Sequence, residues 1–209
     1  MKHVRDEYYA QPLNQQDLNA DPLAQAEQWV QEAIDADLPL PNAMSLATVD
    51  ANGQPSNRIV LLKGVEQGGF TFFTDYDSQK GQDIAANDRV AFTMFWQPFD
   101  RQIVVKGRAE KLSDEVSTDY FHSRPYDSQV SAAISPQSHA VSREWLEEEV
   151  EKLKKDCPQG PVPKPQRWGG YRIVPSEIQF WHGRPSRLHD RFRYQKQADG
   201  NWVIERLAP

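Results

Sequence analysis

The sequence predicts a mainly β domain with flanking helices, an α+β arrangement in which meandering antiparallel strands curl toward a barrel. Three observations predict it. From Ala43 onward the chain runs in short apolar stretches, MSLATV, SNRIVLLK and FTFFT, separated by DANG and EQGG. Asn52-Gly53 and Gly68-Gly69 are hairpin signals, because such residues take the positive φ angles of tight turns at little cost. Few helical stretches interrupt the strands, which disfavours a parallel sheet built from crossover units.

Taken in order, residues 1–20 are polar without a sustained period and read as an arm, leaving residues 21–209 as a single domain. Asp21-Pro22 opens a helix: Asp caps free amides, Pro is tolerated at the first position, and Leu23, Ala26, Trp29, Val30, Ala33 and Ile34 recur at helical spacing. It should end near Leu38-Pro39. After the meander, Ser78 to Asn87 reads as a short helix, and RVAFTMFW and QIVVKGRAEKL as strands joined across Gln97 to Asp100. Ser113 to Ser123 and a longer stretch opening at Ser142 read as helices, the second stopped by CPQGPVPKP. RWGGYRIV, EIQFW, DRFRYQK and WVIERL then alternate around turns at Pro175-Ser176, Gly183 and Asp199-Gly200.

Composition bounds the function. With 209 residues, 38% of them hydrophobic and 26% charged, the chain can bury a full core. A net charge of -6 argues against a general nucleic-acid or anionic-membrane partner, which needs clustered positive charge. The single cysteine, Cys157, has no partner for a disulfide or a zinc motif, and no run of 18 apolar residues is present, so the expected setting is the cytoplasm. His3, His122 and His139 lack ligand spacing, and no metal is expected.

Glycine-rich nucleotide loops, HExxH and GxSxG are absent, and the chemistry-bearing residues are instead cations and hydroxyls at the ends of apolar runs. Arg58 and Lys63 bracket Ile59, Val60, Leu61 and Leu62; five apart on a strand, they face opposite sides and can serve two anions or simply mark strand ends in water. Tyr120 and Arg124 share a helix face, and Pro125 turns the chain toward Ser128, giving either a phosphate cradle or a helix end with a cation on its dipole. Arg187, His189 and Arg191 sit two apart, so in an extended segment they share one face, where mutual repulsion calls for an anion or an electron-rich ring; a basic docking strand is the alternative. Ser78-Gln79-Lys80, Gln102 and Gln137-Ser138 are weaker signals, each also readable as a cap or turn.

Together, RIVLLK, the Ser-x-Lys helix start, DRQIVVKGRAEKL, YFHSRPYDSQ, PQS, WGGYRI, RLHDRF and the terminal ERLAP resemble the pyridoxamine 5'-phosphate oxidases along nearly the whole chain, in order. The resemblance implies an FMN-binding split β-barrel and a homodimer with FMN at the subunit interface. It implies oxidation of pyridoxamine or pyridoxine 5'-phosphate by O2 to pyridoxal 5'-phosphate, with hydrogen peroxide and, from the amine, ammonia as further products. By the same resemblance, FMN is held by Arg58, Ile59, Val60, Leu61, Leu62, Lys63, Phe73, Thr74, Gln79, Lys80, Gln102, Gln137, Ser138, Trp181 and Arg191. Lys63, Tyr120, Arg124 and Ser128 take the substrate phosphate, Arg187 and His189 lie beside the pyridine ring as the catalytic pair, and Arg5 and Tyr8 belong to an arm that covers the substrate.

Two departures stand out: Gln79 occupies a place where the family often has a basic residue, and QPLNQQDL lacks an arginine cluster seen in some relatives. Two other readings compete, a split-barrel flavoprotein acting on a different substrate and a non-enzymatic carrier of flavin or pyridoxal phosphate. The phosphate cradle discriminates against the first, and turnover against the second.

Overall fold

The structure, a computed structural model, describes residues 11–158 and 160–209. Helix α1 (Pro22–Asp35) starts where the sequence places it, with the Asp21 side chain accepting from the Leu23 amide and Pro22 in the first turn. It buries Ala26, Trp29, Val30 and Ala33, and Trp29 meets Phe180 edge-on at 5.1 Å.

Strands β1 (Ala43–Val49), β2 (Pro55–Leu61), β3 (Gly64–Glu66), β4 (Gly69–Asp75), β5 (Arg89–Trp96), β6 (Arg101–Lys111), β7 (Trp168–His182), β8 (Asp190–Lys196) and β9 (Trp202–Arg206) form one antiparallel sheet. Its order is β2-β1-β5-β6-β7-β4-β3, with β8 on β7 and β9 on β8. The sheet curls into a half-barrel, the mainly β class expected. Alternation decides its faces: Met44, Leu46, Phe92, Met94, Ile103, Val105, Ile178, Phe180 and Tyr194 point into the core. The short β3 was not predicted; Gln67 and Gly68 both take positive φ, 48° and 81°, giving the two-residue turn that joins it to β4.

One expectation is corrected. Pro175-Ser176, read as a turn between two strands, lies within the single strand β7. The register of β6 against β7 shifts between Lys106 and Gly107, opposite Pro175, so the ring's missing N–H falls at a bulge. The other edge of β7 is divided there: residues 168–173 pair with β4, and residues 177–182 pair with β8.

Helix α2 (Gln79–Ala86) is capped by Ser78, α3 (Asp114–Ser123) by Ser113 and α5 (Arg143–Asp156) by Ser142. An unforeseen helix, α4 (Tyr126–Ile134), follows Pro125 directly. Phe121, Val130, Val162 and Trp168 form a second core beneath α3 and α4. Residues 11–20 lie along the last strands: the Leu13 amide donates to Asp190 at 2.9 Å, Arg206 donates to the Leu13 carbonyl at 3.0 Å, and Tyr194 donates to the Asn19 carbonyl at 2.6 Å.

A Cβ on Gly107 would stand 2.3 Å from the Val174 carbonyl oxygen. Gly107→Ala is therefore expected to destabilise by about 1–3 kcal/mol through forced displacement of β7. A denaturation curve should show a lower midpoint with an unchanged slope.

Candidate active site

A cleft of about 680 Å³ opens between β2, β4, the start of α2, α3 and the segment after α4. It is lined by Arg58, Ile59, Val60, Leu61, Lys63, Phe73, Thr74, Gln79, Lys80, Tyr120, Arg124, Gln137 and Ser138, residues the sequence singled out, together with Asp75, Ser131, Ala132, Ser135 and Trp168, which it did not.

Lys80 is the pivot of one end. It is 8% exposed, and its ammonium meets only neutral acceptors: Gln137 Oε1 at 2.7 Å, Thr74 Oγ1 at 3.2 Å and Ser78 Oγ at 3.3 Å. Burial, reinforced by Arg58 and opposed by Asp75, lowers its pKa to about 8. Arg58 is held by Thr48 Oγ1 at 2.6 Å and lies 3.7 Å from Asp83, and burial lowers its pKa as well. A buried cation at a helix start, without a carboxylate in its hydrogen-bond shell, suits an added anion. Gln79 lines the cleft, yet its side-chain amide donates to Asp83 at 2.7 Å, and its peptide N–H donates to Ser138 Oγ at 3.2 Å.

The other end is aromatic and cationic. Phe73 stacks on Tyr120 at 3.8 Å and on Trp168 at 5.5 Å, and the Arg124 guanidinium lies 5.0 Å above the Trp168 ring. Arg124 Nη1 is buried without a hydrogen-bond partner, and burial lowers the pKa of the group. Lys63 Nζ stands 5.9 Å from the Tyr120 ring centre. A second anion at this end would give the orphaned Arg124 donor its acceptor.

Several expectations change. Arg58 and Lys63 do not lie on opposite faces of one strand: β2 stops at Leu61, Lys63 sits in the link before β3, and both cations line the same cleft. Leu62 is 4% exposed and belongs to the core, its peptide tied to Asn42 in both directions. Ser128 sits in the first turn of α4 and does not line the cleft. Arg187, His189 and Arg191 do not form an extended row, because Ser186 and Arg187 take left-handed φ values of 57° and 61° and β8 begins only at Asp190.

Gln102, Trp181 and Arg191 are lateral neighbours on β6, β7 and β8, and Trp181 stacks obliquely on His189 at 4.7 Å. None of these four, nor Arg187, lines the cleft of the same chain. Arg5 and Tyr8 lie outside the described residues. Among the described residues, no group of His, Cys, Asp or Glu is placed to hold a metal, and no helix is long and apolar enough to cross a membrane.

Sequence reasoning also missed Arg167. It donates to Asp75 at 2.8 Å and to the carbonyls of Ala133 and Ser135 at 2.8 and 3.1 Å, so it ties the end of α4 to the end of β4 and sets the segment that brings Gln137 to Lys80. Nothing local marks this arginine, whose partners lie 92, 34 and 32 residues away.

Curled half-barrel and cation-lined cleft together define a split-barrel protein. Residues 30–169 match the family model described as pyridoxamine 5'-phosphate oxidase, and residues 168–209 match the pyridoxine 5'-phosphate oxidase C-terminal dimerisation region. The pyridoxine/pyridoxamine 5'-phosphate oxidase of Alcanivorax borkumensis is 68% identical over the full length of both chains, and that of Hahella chejuensis is 52% identical over 99% of this chain and 98% of its own. Among solved structures, PhzG from Burkholderia lata in complex with tetrahydrophenazine-1-carboxylic acid superposes with a TM-score of 0.89 at 27% identity, covering 96% of this chain and 99% of that one. A pyridoxamine 5'-phosphate oxidase-related, FMN binding protein from Nostoc punctiforme shares the fold, with a TM-score of 0.75 at 16% identity over 92% of this chain and 100% of that one. The chain belongs to the pyridoxine/pyridoxamine 5'-phosphate oxidase family.

Lys80 gives a test that needs no cofactor. Its charged form is disfavoured by burial, so folding stability contributed by this group rises as pH climbs from about 8 toward the usual lysine range. An anion that binds the charged form returns a proton to it. Binding of sulfate, which stays a dianion throughout this range, is expected to take up close to one proton at about pH 9 and little at about pH 7, with Lys80→Met abolishing the uptake; calorimetry in buffers of different ionisation enthalpy reads this.

Proposed function

We propose that the protein is an FMN-dependent oxidase that converts pyridoxamine 5'-phosphate or pyridoxine 5'-phosphate to pyridoxal 5'-phosphate in the cytoplasm, with O2 as acceptor. The observation that carries the reading is the pair of cationic anchors in one cleft: Lys80 with Arg58 at one end, Lys63 with Arg124 at the other, and stacked aromatic rings between. Two phosphate-bearing flat molecules, cofactor and substrate, match two anchors. The residues fit FMN: Arg58, Lys80, Gln137, Ser138 and Thr74 supply cations and hydrogen-bonding groups for its phosphate, and Ile59, Val60 and Leu61 an apolar wall.

The second group, Gln102, Trp181, Arg187, His189 and Arg191, completes the site from another copy of the chain. Support comes from the outer sheet face, where Ile59 is 63%, Leu61 37% and Phe95 55% exposed, and from the C-terminal match to a dimerisation region. A homodimer with FMN at its interface covers these side chains and brings the second group to the partner's cleft.

Held there, FMN would supply the acceptor for a hydride from the carbon bearing the amine or hydroxyl and the route of the electrons to O2, with hydrogen peroxide as product; the imine formed from the amine would add water and release ammonia. Lys63, Tyr120 and Arg124 grip the substrate phosphate and fix the reacting carbon. That orientation supplies several kcal/mol of barrier lowering in systems of this kind. Arg187 and His189 flank the pyridine ring, and Arg5 and Tyr8 on the N-terminal arm exclude water.

A second reading, oxidation of a different ring system, is favoured by the likeness to PhzG; the Lys63, Tyr120 and Arg124 cradle favours a phosphorylated substrate. Anaerobic addition of pyridoxamine 5'-phosphate to the yellow holoenzyme is expected to bleach the visible flavin bands. A flavin that stays oxidised would overturn the substrate assignment, and a protein that cannot be reconstituted with FMN would overturn the enzyme.

Arg124→Ala is expected to raise KM by about ten- to a hundredfold with kcat nearly kept, since a phosphate anchor holds ground and transition states alike. Arg187→Ala is expected to slow flavin reduction in stopped-flow measurements far more than it weakens FMN retention.

A further inference from the structure

The link between β7 and β8 contains a hydrogen bond that fixes the chemical state of His189. Pro185, Ser186 and Arg187 form a single tight turn, with Ser186 and Arg187 both in the left-handed region. Residues other than glycine seldom adopt two such conformations in succession, and here the turn folds the chain back so that the Arg184 peptide N–H lies 3.0 Å from His189 Nδ1. A peptide N–H can only donate. Nδ1 therefore presents its lone pair, and a neutral imidazole that does so carries its proton on Nε2.

The surroundings act in the same direction. Burial lowers the pKa of His189, the Arg187 guanidinium lowers it further, and Asp100 opposes them. The Trp181 ring lies against the imidazole at 4.7 Å. Protonating Nδ1 would require breaking the Arg184 hydrogen bond and placing a second cation beside Arg187. Asp190, the next residue, holds the same link from below: it lies 3.6 Å from Arg184 Nε and accepts from Arg206 Nη1 at 2.5 Å and from the Leu13 amide at 2.9 Å.

We propose that Arg184, through its peptide N–H, is a positioning residue that holds His189 as the neutral Nε2–H tautomer. His189 accordingly meets the substrate as a hydrogen-bond donor and does not take the proton released on oxidation. As the hydride leaves the reacting carbon, the accompanying proton from the amine or hydroxyl passes to water. The tautomer stands on the geometry alone, while its use toward substrate rests on the function proposed above.

The test is nitrogen NMR of full-length protein labelled with ¹⁵N in histidine, with His189 assigned as the ring signals lost in His189→Gln or His189→Asn. The expected result is an unprotonated Nδ1 and a protonated Nε2 from neutral to alkaline pH. A protonated Nδ1, in either the neutral or the doubly protonated ring, would overturn the proposal. Turnover supplies the second arm. Glutamine presents an N–H donor near the place of Nε2, so His189→Gln is expected to lower kcat by no more than about tenfold and to keep the shape of the pH profile, whereas His189→Leu loses more. Loss of a general base costs about 10²–10⁴ and removes the acidic limb; that outcome for His189→Gln would assign the base to His189 after all. Failure of pyridoxamine 5'-phosphate to bleach the flavin would remove the substrate and leave the tautomer result standing.

Discussion

The architecture depends on one strand with two partners on the same edge. β7 runs unbroken along β6, while its far edge passes from β4 to β8 at Pro175. A proline within a strand normally costs a ladder hydrogen bond, and here the bulge opposite Gly107 absorbs that cost at the branch point. The consequence reaches the site directly. The β4 branch delivers Phe73 and Thr74 to the cleft, and the β8 branch carries Arg191 and the link bearing Arg187 and His189. A turn at Pro175 would leave these two groups without a common frame.

The cleft is a place where the fold tolerates unfavourable electrostatics. Lys80 and Arg58 are cations in a poorly solvated setting, and burial disfavours the charge on both. They are retained there by neutral acceptors and by Asp83, on a helix start fixed by the Ser78 cap. Arg167 does the opposite work, since its pairing with Asp75 satisfies a buried carboxylate and at the same time closes the C-terminal carbonyls of α4. An uncompensated cation in a cleft and a compensated one just behind it are the pattern of a ligand site and its support.

Local chemistry was legible wherever a few neighbouring residues decide the outcome. Asp21-Pro22, Ser78, Ser113 and Ser142 start helices because each side chain caps amides within its own first turn. Gly53, Gly68 and Gly200 adopt the positive φ that the turns demand. The cations flanking IVLL and the Tyr120-Arg124 pair stood out as candidate anion sites, though strand ends in water and a cation on a helix dipole read equally well from the local sequence. Helix α4 was not legible: Pro125 reads as a stop, yet it also serves as the start of the next helix.

The sequence by itself determined the mainly β class, the helix starts, most turns and the residue types suited to phosphate, since these follow from short-range conformational preference and side-chain chemistry. Tertiary structure decided the continuity of β7, the entry of Leu62 into the core, the common cleft of Arg58 and Lys63, and the separation of Trp181 and Arg191 from that cleft. It also decided the role of Arg167 and the tautomer of His189. Each of these depends on strand register, on a bulge or on a contact between distant residues, and such contacts are selected by the packing of the whole sheet rather than by any local run of side chains.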